Sequence, residues 1–124
     1  MKFYQCEMCG NVIEFLNESG VPIVCCGEEM QELVPGTSDG AAEKYVPLIR
    51  ISGNKVSVLV GEVQHPSTEA HYIQWIVLET KKGVYRIMLT PGQVPIAEFL
   101  LTEDDTVIAA YEYCNLHGLW MTKA

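Results

Sequence analysis

The chain has 124 residues and a formal net charge of −8, from 16 acidic against 8 basic residues, and 48% of it is hydrophobic. This length suits one ordinary domain, or one domain with a small appendage, and the composition is that of a globular protein. Because no cluster of lysines and arginines interrupts the negative charge, we exclude nucleic acid and anionic membrane surfaces as partners. No apolar run approaches the roughly 20 residues that span a bilayer. No signal-peptide core precedes the first cysteine pair, so we expect a cytoplasmic protein.

The distribution of cysteine and histidine is the most informative feature of the composition. There are five cysteines and three histidines. An odd number of cysteines, two of them adjacent at Cys25 and Cys26, does not suit a disulfide framework. Every cysteine and histidine instead falls into one of two groups. The sequence therefore predicts two metal sites.

The first group consists of four cysteines. Cys6 and Cys9 form a C-x-x-C pair, and after fifteen intervening residues Cys25 and Cys26 follow. Four thiolates make a tetrahedral site for iron or zinc. The adjacent second pair departs from the usual spacing of zinc ribbons, which favours iron and leaves zinc as the alternative. A segment this short, residues 1–36, cannot bury enough apolar surface to fold unaided, so bound metal would supply much of its stability.

Beyond a small polar linker at residues 36–40, the chain has the pattern of short strands. Residues 46–51 and 55–60 flank a Ser-Gly-Asn turn, and residues 72–79 and 84–89 flank a Thr-Lys-Lys-Gly turn. Residues 106–113 form one more strand, and no helical period is convincing. Short strands at this spacing predict an immunoglobulin-like antiparallel β-sandwich.

The second group joins Cys114 and His117 to His65 and His71. Positions i and i+3 of a straight strand point to opposite faces, so Cys114 and His117 can reach one metal only if the backbone turns between them. Asn115 and Gly118 permit such a turn. Three imidazoles and one thiolate are too soft for calcium or magnesium and suit iron, copper or zinc.

Two chemistries fit this ligand set. In a mononuclear non-haem iron site, an axial thiolate pushes electron density toward an open position and favours reduction of a bound oxygen species. In a type 1 copper site, Cys114, His117 and Met121 would imitate the cysteine, histidine and weak axial methionine of electron-transfer proteins. Copper would leave one histidine spare, and such carriers are usually exported, so iron is preferred.

These motifs together resemble the desulfoferrodoxins, which are superoxide reductases with an extra desulforedoxin-like domain at the N-terminus. The likeness covers nearly the whole chain and includes His65-Pro66, His71-Tyr72-Ile73-x-Trp75 and Cys114-Asn115-x-His117-Gly118-x-Trp120. It implies an all-β protein with a rubredoxin/desulforedoxin-like metal-binding domain at residues 1–36 and the β-sandwich at residues 37–124. It also implies two mononuclear iron ions per chain, one held by the four cysteines of the first group and one by the three histidines and the cysteine of the second. The implied reaction is the one-electron reduction of superoxide to hydrogen peroxide by a homodimer that a small carrier such as rubredoxin re-reduces.

The resemblance also implies roles for Glu43 and Lys44 and exposes one departure. A cation at Lys44 would draw anionic superoxide to the iron of an acidic protein and could hold water for proton delivery, while Glu43 would help to expel the product. At position 45 the family has a fourth histidine ligand, and this chain has Tyr45. Tyr45 could bind iron as a phenolate or turn away and leave a second open position. The alternative function is therefore a non-catalytic electron-transfer or metal-binding protein.

Overall fold

The computed structural model describes residues 1–37, 42–61 and 66–124, except for the side chain of Glu43. The chain divides into two compact units, Met1–Val34 and Pro35–Ala124. Within the described ranges, the regular structure is β apart from one helical turn, α1 at Ala42–Tyr45. The predicted all-β class is therefore confirmed. No helix in these ranges is long and apolar enough to cross a membrane.

The first unit is built from five very short strands. A three-stranded antiparallel sheet has the order β2-β1-β5, and a two-residue hairpin, β3-β4, lies apart from it. Few apolar side chains of this unit are buried, chiefly Phe3, Cys6 and Met30. So small a core gives the unit little hydrophobic stabilisation of its own. The strands are β1 Phe3–Gln5, β2 Val12–Glu14, β3 Val24–Cys25, β4 Glu28–Glu29 and β5 Gln31–Leu33.

The second unit is a sandwich of two antiparallel sheets. One sheet has the order β10-β7-β6 and the other β12-β11-β8-β9. The strands are β6 Pro47–Ser52, β7 Lys55–Val60, β8 Ile73–Thr80, β9 Val84–Met88, β10 Ile96–Leu100, β11 Val107–Cys114 and β12 Gly118–Lys123. This arrangement confirms the predicted β-sandwich.

The core of the sandwich follows from the two-residue period of its strands. In β7, the alternate residues Val56, Val58 and Val60 are buried and the residues between them are not. They pack against the inward side chains of β8 and β11, and this cluster also contains Tyr45, Cys114 and Trp120. Of the four predicted ligands of the second metal site, Cys114 thus belongs to the hydrophobic core.

The structure confirms both predicted hairpins and adds elements that the pattern of residues did not predict. In the hairpins, Leu48 lies opposite Leu59 and Trp75 opposite Met88. The sequence analysis named no individual strands in the first unit, and in the second unit it missed strands β10 and β12 and helix α1. In β12 the apolar alternation is interrupted by Gly118 and by polar residues near its end, and a single helical turn is too short to show a period.

Candidate metal centres

The four cysteines of the first unit converge. Their sulfur atoms all lie within 4.8 Å of one another, and the Sγ atoms of Cys9 and Cys25 are 3.6 Å apart. Four sulfurs at roughly 2.3 Å from one tetrahedral metal ion would be about 3.8 Å apart. The donor set and its spacing therefore fit a single iron or zinc ion.

The backbone around the cysteines turns as the C-x-x-C-Gly pattern requires. The amide of Gly10 donates to the carbonyl of Cys6 at 2.9 Å, and the amide of Cys6 donates to the carbonyl of Asn11 at 2.9 Å. Cys26 has a φ of 54° and is the one non-glycine residue in the described ranges with a positive φ. This conformation is unfavourable for a residue with a side chain, and it accompanies the convergence of the adjacent Cys25 and Cys26 sulfurs.

The thiols of this cluster resist ionising together. Backbone amides, above all that of Cys9, lower the pKa of Cys6 to about 7. Its neighbours Cys9 and Cys6, together with Cys25, raise the pKa of Cys26 to about 12. One thiolate forms readily, whereas the last would lose its hydrogen bonds to the neighbouring sulfurs and add a charge beside theirs. A bound cation offsets both costs, so the cluster has the electrostatics of a metal site.

In the second unit, Cys114 and His117 lie on either side of a tight connection between β11 and β12. Cys114 is the last residue of β11 and pairs with Gly118, the first residue of β12, whose φ is 75°. The predicted turn between the two side chains is thus confirmed. The Cys114 side chain is fully buried. Burial raises the pKa of its thiol, while amides of Leu116 and His117 that donate toward the sulfur oppose this shift.

Asn115 ties this turn to the segment that carries His71. Its side-chain amide donates to the carbonyl of Ala70 at 3.0 Å, and its Oδ1 accepts from the amide of Tyr72 at 3.0 Å. The backbone amide of Asn115 also donates to the carbonyl of Tyr72 at 3.3 Å. These bonds bracket His71. The sequence indicated Asn115 only as a turn former, although its bifunctional amide is a signal for such a bridge.

His71, His117 and Tyr45 form one aromatic group. The ring centroids of His71 and His117 are 5.1 Å apart, and those of Tyr45 and His117 are 4.8 Å apart. The Tyr45 hydroxyl lies 3.4 Å from Nε2 of His71, and its ring stacks on Trp120 at 5.4 Å. Trp120 in turn donates from Nε1 to the carbonyl of His117 at 3.0 Å. Tyr45 is only 3% exposed, so its ring is packed among the predicted ligands and not turned to solvent.

In this group, the protonation state of His71 suits metal binding, whereas that of Tyr45 opposes it. Burial, followed by His117 and Lys44, lowers the pKa of His71, which keeps the ring neutral and able to bind a metal. Burial, followed by the charges of Cys114 and Glu112, raises the pKa of Tyr45. Without a cation, position 45 therefore presents a neutral phenol.

Glu112 is a second residue that the sequence analysis missed. It lies two positions before Cys114, on the same face of β11, and is fully buried. Neither carboxylate oxygen has a hydrogen-bond partner among the described residues, and burial raises its pKa well above the usual value. A charged residue within an apolar strand was the available signal.

Only some of the predicted ligands and catalytic residues lie together in the part of the chain that the structure describes. The four cysteines are the one group of three or more Cys, His, Asp or Glu side chains there whose ligand atoms converge. His65 and the side chain of Glu43 lie outside the described residues. Lys44 is exposed on α1, and its charge contributes to the lowered pKa of His71, so it acts on the second group.

The fold and the two groups define a two-unit β protein with a tetrathiolate site in the first unit and a histidine and cysteine cluster in the second. The sequence model described as Desulfoferrodoxin matches residues 37–123. The one described as Desulfoferrodoxin, N-terminal domain, matches residues 1–33. The chain belongs to the desulfoferrodoxin family and is an oxidoreductase. The family implies iron centres.

Individual relatives agree with this membership. A desulfoferrodoxin of Nitratidesulfovibrio vulgaris is 47% identical over 123 residues, which cover 99% of this chain and 96% of that protein. A desulfoferrodoxin homologue of Archaeoglobus fulgidus is 43% identical, over 98% of this chain and 96% of that protein. The crystal structure of the superoxide reductase from Treponema pallidum superposes with a TM-score of 0.82 at 38% identity and covers 98% of each chain.

Proposed function

We propose that this protein is a superoxide reductase, which converts superoxide, one electron and two protons into hydrogen peroxide and releases no oxygen. Iron held by His65, His71, His117 and Cys114 would supply the electron. The observation that carries the proposal is the Asn115 bridge, which holds the turn of Cys114 and His117 against His71 through bonds of 3.0 Å. Similarity to the superoxide reductase of Treponema pallidum over 98% of each chain supports it.

The chain's own residues would perform the remaining steps. The Cys114 thiolate donates electron density to the metal it binds, which favours reduction of oxygen species. Lys44 supplies a local positive charge in a protein of net charge −8, and so raises the local concentration of an anionic substrate. Lys44 also holds water that delivers the protons with which reduced superoxide becomes hydrogen peroxide. Glu43 assists the release of peroxide.

The proposal extends to the architecture of the enzyme. Residues 1–36 form a desulforedoxin-like domain whose four cysteines bind a second iron as an electron relay or store, with zinc as the alternative metal. Residues 37–124 form the catalytic domain. The enzyme works as a homodimer in the cytoplasm, and a small carrier such as rubredoxin returns it to the ferrous state.

One observation favours a second function. The Tyr45 hydroxyl lies 3.4 Å from Nε2 of His71, so a phenol occupies space where a histidine ligand is expected from the family. If this residue blocks the iron, the protein is a non-catalytic electron-transfer or metal-binding protein.

Metal analysis followed by rapid mixing with superoxide separates the two functions. We expect two irons per chain, a red tetrathiolate spectrum, a separate thiolate-to-iron band after oxidation, and one peroxide formed per superoxide consumed. A bimolecular rate constant on the order of 10⁸ M⁻¹s⁻¹ would match electrostatically steered encounter. An absence of reaction, or zinc or a blue copper band in place of iron, would contradict the proposal.

A further inference from the structure

Gly61 follows the last residue of β7 and lies against the helical turn α1. It is buried, and its φ is 76°. Its amide donates to the carbonyl of Val46 at 3.1 Å, and the amide of Val46 donates to the carbonyl of Ala42 at 2.9 Å. The end of β7 and the turn are thus joined through backbone groups alone.

A side chain at position 61 would collide with the backbone of Lys44. A Cβ built on Gly61 would lie 2.4 Å from the carbonyl oxygen of Lys44, 2.6 Å from its carbonyl carbon and 2.9 Å from its Cα. Real Cβ atoms essentially never approach other atoms that closely, and ordinary contact begins at 3.4 Å. The Lys44 carbonyl would therefore have to retreat by about 1 Å, and backbone cannot avoid the contact by changing a rotamer.

The atoms in question belong to the peptide unit between Lys44 and Tyr45. Lys44 carries the charge to which the proposed function assigns substrate attraction. Tyr45 contributes the hydroxyl that lies 3.4 Å from Nε2 of His71 and the ring that stacks on Trp120. A shift of this peptide would move both side chains relative to the histidines. Errors of about 1 Å in the placement of reacting or guiding groups can cost orders of magnitude in rate.

We propose that Gly61 is a positioning residue for the reaction: its missing side chain lets the Lys44–Tyr45 peptide pack against the end of β7 and so places the Lys44 charge beside the substrate position. This inference rests on the proposed function. It assigns to Gly61 a role in substrate attraction that acts through the position of Lys44 and requires no contact with superoxide.

The chain offers a matched control for this proposal. Gly53, in the turn between β6 and β7, has a φ of 62°, and a Cβ built there meets nothing within 4 Å. Alanine imposes a similar backbone strain at both positions, because both have a positive φ. Only position 61 adds the collision with Lys44. Asparagine tolerates a positive φ better than alanine, so Gly61→Asn keeps the collision with less strain.

The experiment measures the bimolecular rate with superoxide at several ionic strengths for Gly61→Ala, Gly61→Asn, Gly53→Ala and Gly53→Asn of the iron-loaded protein. We expect both Gly61 variants to lose about tenfold at low salt and to show a flattened salt dependence, as expected for loss of a steering charge. Both Gly53 variants should match the unmodified protein. In a Lys44→Met background, Gly61→Ala should cause little further loss, because two residues that act through one charge are not additive.

The outcomes that overturn the proposal are distinct. Gly61 variants that react as fast as the Gly53 variants would refute it, and so would a full tenfold loss from Gly61→Ala in the Lys44→Met background. If Gly61→Asn restores the rate that Gly61→Ala loses, strain and not the contact with Lys44 is the cause. If neither Gly61 variant folds while both Gly53 variants do, Gly61 serves the fold and not the site.

A readout without superoxide separates this proposal from the proposed function. Near-ultraviolet circular dichroism reports the stacked rings of Tyr45 and Trp120, which move with the same peptide. We expect this signal to change in both Gly61 variants and to remain in both Gly53 variants. If the unmodified protein does not reduce superoxide, the proposed function fails, and an unchanged signal in the Gly61 variants would separately show that the peptide has not moved.

Discussion

The two proposed metal sites of this chain are specified over very different sequence distances. The tetrathiolate site draws on two cysteine pairs within one unit of 34 residues, and its four sulfur atoms converge within 4.8 Å. The histidine and cysteine cluster draws on the segment before β8 and on the β11–β12 turn, and Tyr45 of α1 stands among its predicted ligands. A site made by local spacing needs only its own unit, whereas a site made by a sandwich depends on many contacts that are not ligands. The following changes test that contrast, from the largest expected effect to the smallest.

Replacing the thiolate of the second cluster should abolish the reaction with superoxide and leave the tetrathiolate site intact. In Cys114→Ser, we expect the rate with superoxide to fall by more than the roughly 10- to 100-fold that loss of a supporting partner costs at a metal site. The measurement is rapid mixing with superoxide together with a visible spectrum. The tetrathiolate spectrum serves as the internal control, and its disappearance would show that the two sites are not independent.

Removing one ligand of the first cluster should have the opposite effect. In Cys9→Ser, we expect weaker metal binding and unfolding of residues 1–34, because a structural metal contributes on the order of 10 kcal/mol to so small a unit. Hydrogen exchange would follow the loss of protection, and the superoxide rate should change less than twofold. A parallel loss of that rate would mean that turnover passes through the first site.

Variants of Asn115 test whether a residue that does not bind the metal controls the second site. Asn115→Ala removes two side-chain hydrogen bonds, so we expect a loss of about 2 kcal/mol in the free energy of unfolding and about a tenfold loss in rate or metal affinity. Asn115→Asp keeps the acceptor for Tyr72 and loses the donor to Ala70, so its effects should be smaller. Equal effects of both variants would contradict the role of the acceptor.

The charge of Lys44 should affect encounter more than chemistry. We expect Lys44→Met to slow the bimolecular step by about tenfold at low salt and to flatten its dependence on ionic strength. Lys44→Arg keeps the charge and should remain close to the unmodified protein. A rate for Lys44→Met that is unaltered at every salt concentration would rule out steering.

Substitutions at position 45 should produce the smallest change in iron binding and turnover. Whether that change is a gain or a loss is the informative result. We expect Tyr45→His to bind iron more tightly or to turn over severalfold faster, because it supplies a further imidazole where the phenol now lies. Tyr45→Phe removes the hydroxyl near His71 and keeps the ring against Trp120, so it separates the loss of the phenol from the gain of a ligand. Unchanged metal content and kinetics in Tyr45→His would exclude position 45 from the site.

Much of this protein was predictable from residue spacing. The cysteine pairs, the two hairpins and the turn between Cys114 and His117 depend on neighbours in sequence, and the structure has all of these features. The missed strand β12 begins at Gly118, where the need for a turn hides the strand pattern. Asn115 and Glu112 were missed because their importance depends on what lies across the sheet.

Short-range chemistry therefore defined the ligand types, the tetrathiolate cluster and the β character of the chain, because spacing and side-chain type act over short stretches of sequence. Packing between sheets settled the rest: that Tyr45 lies buried against Trp120 and His117, that Asn115 joins two strands' ends, and that Gly61 must lack a side chain beside Lys44. These facts depend on contacts between residues far apart in sequence, and close packing makes such contacts strict.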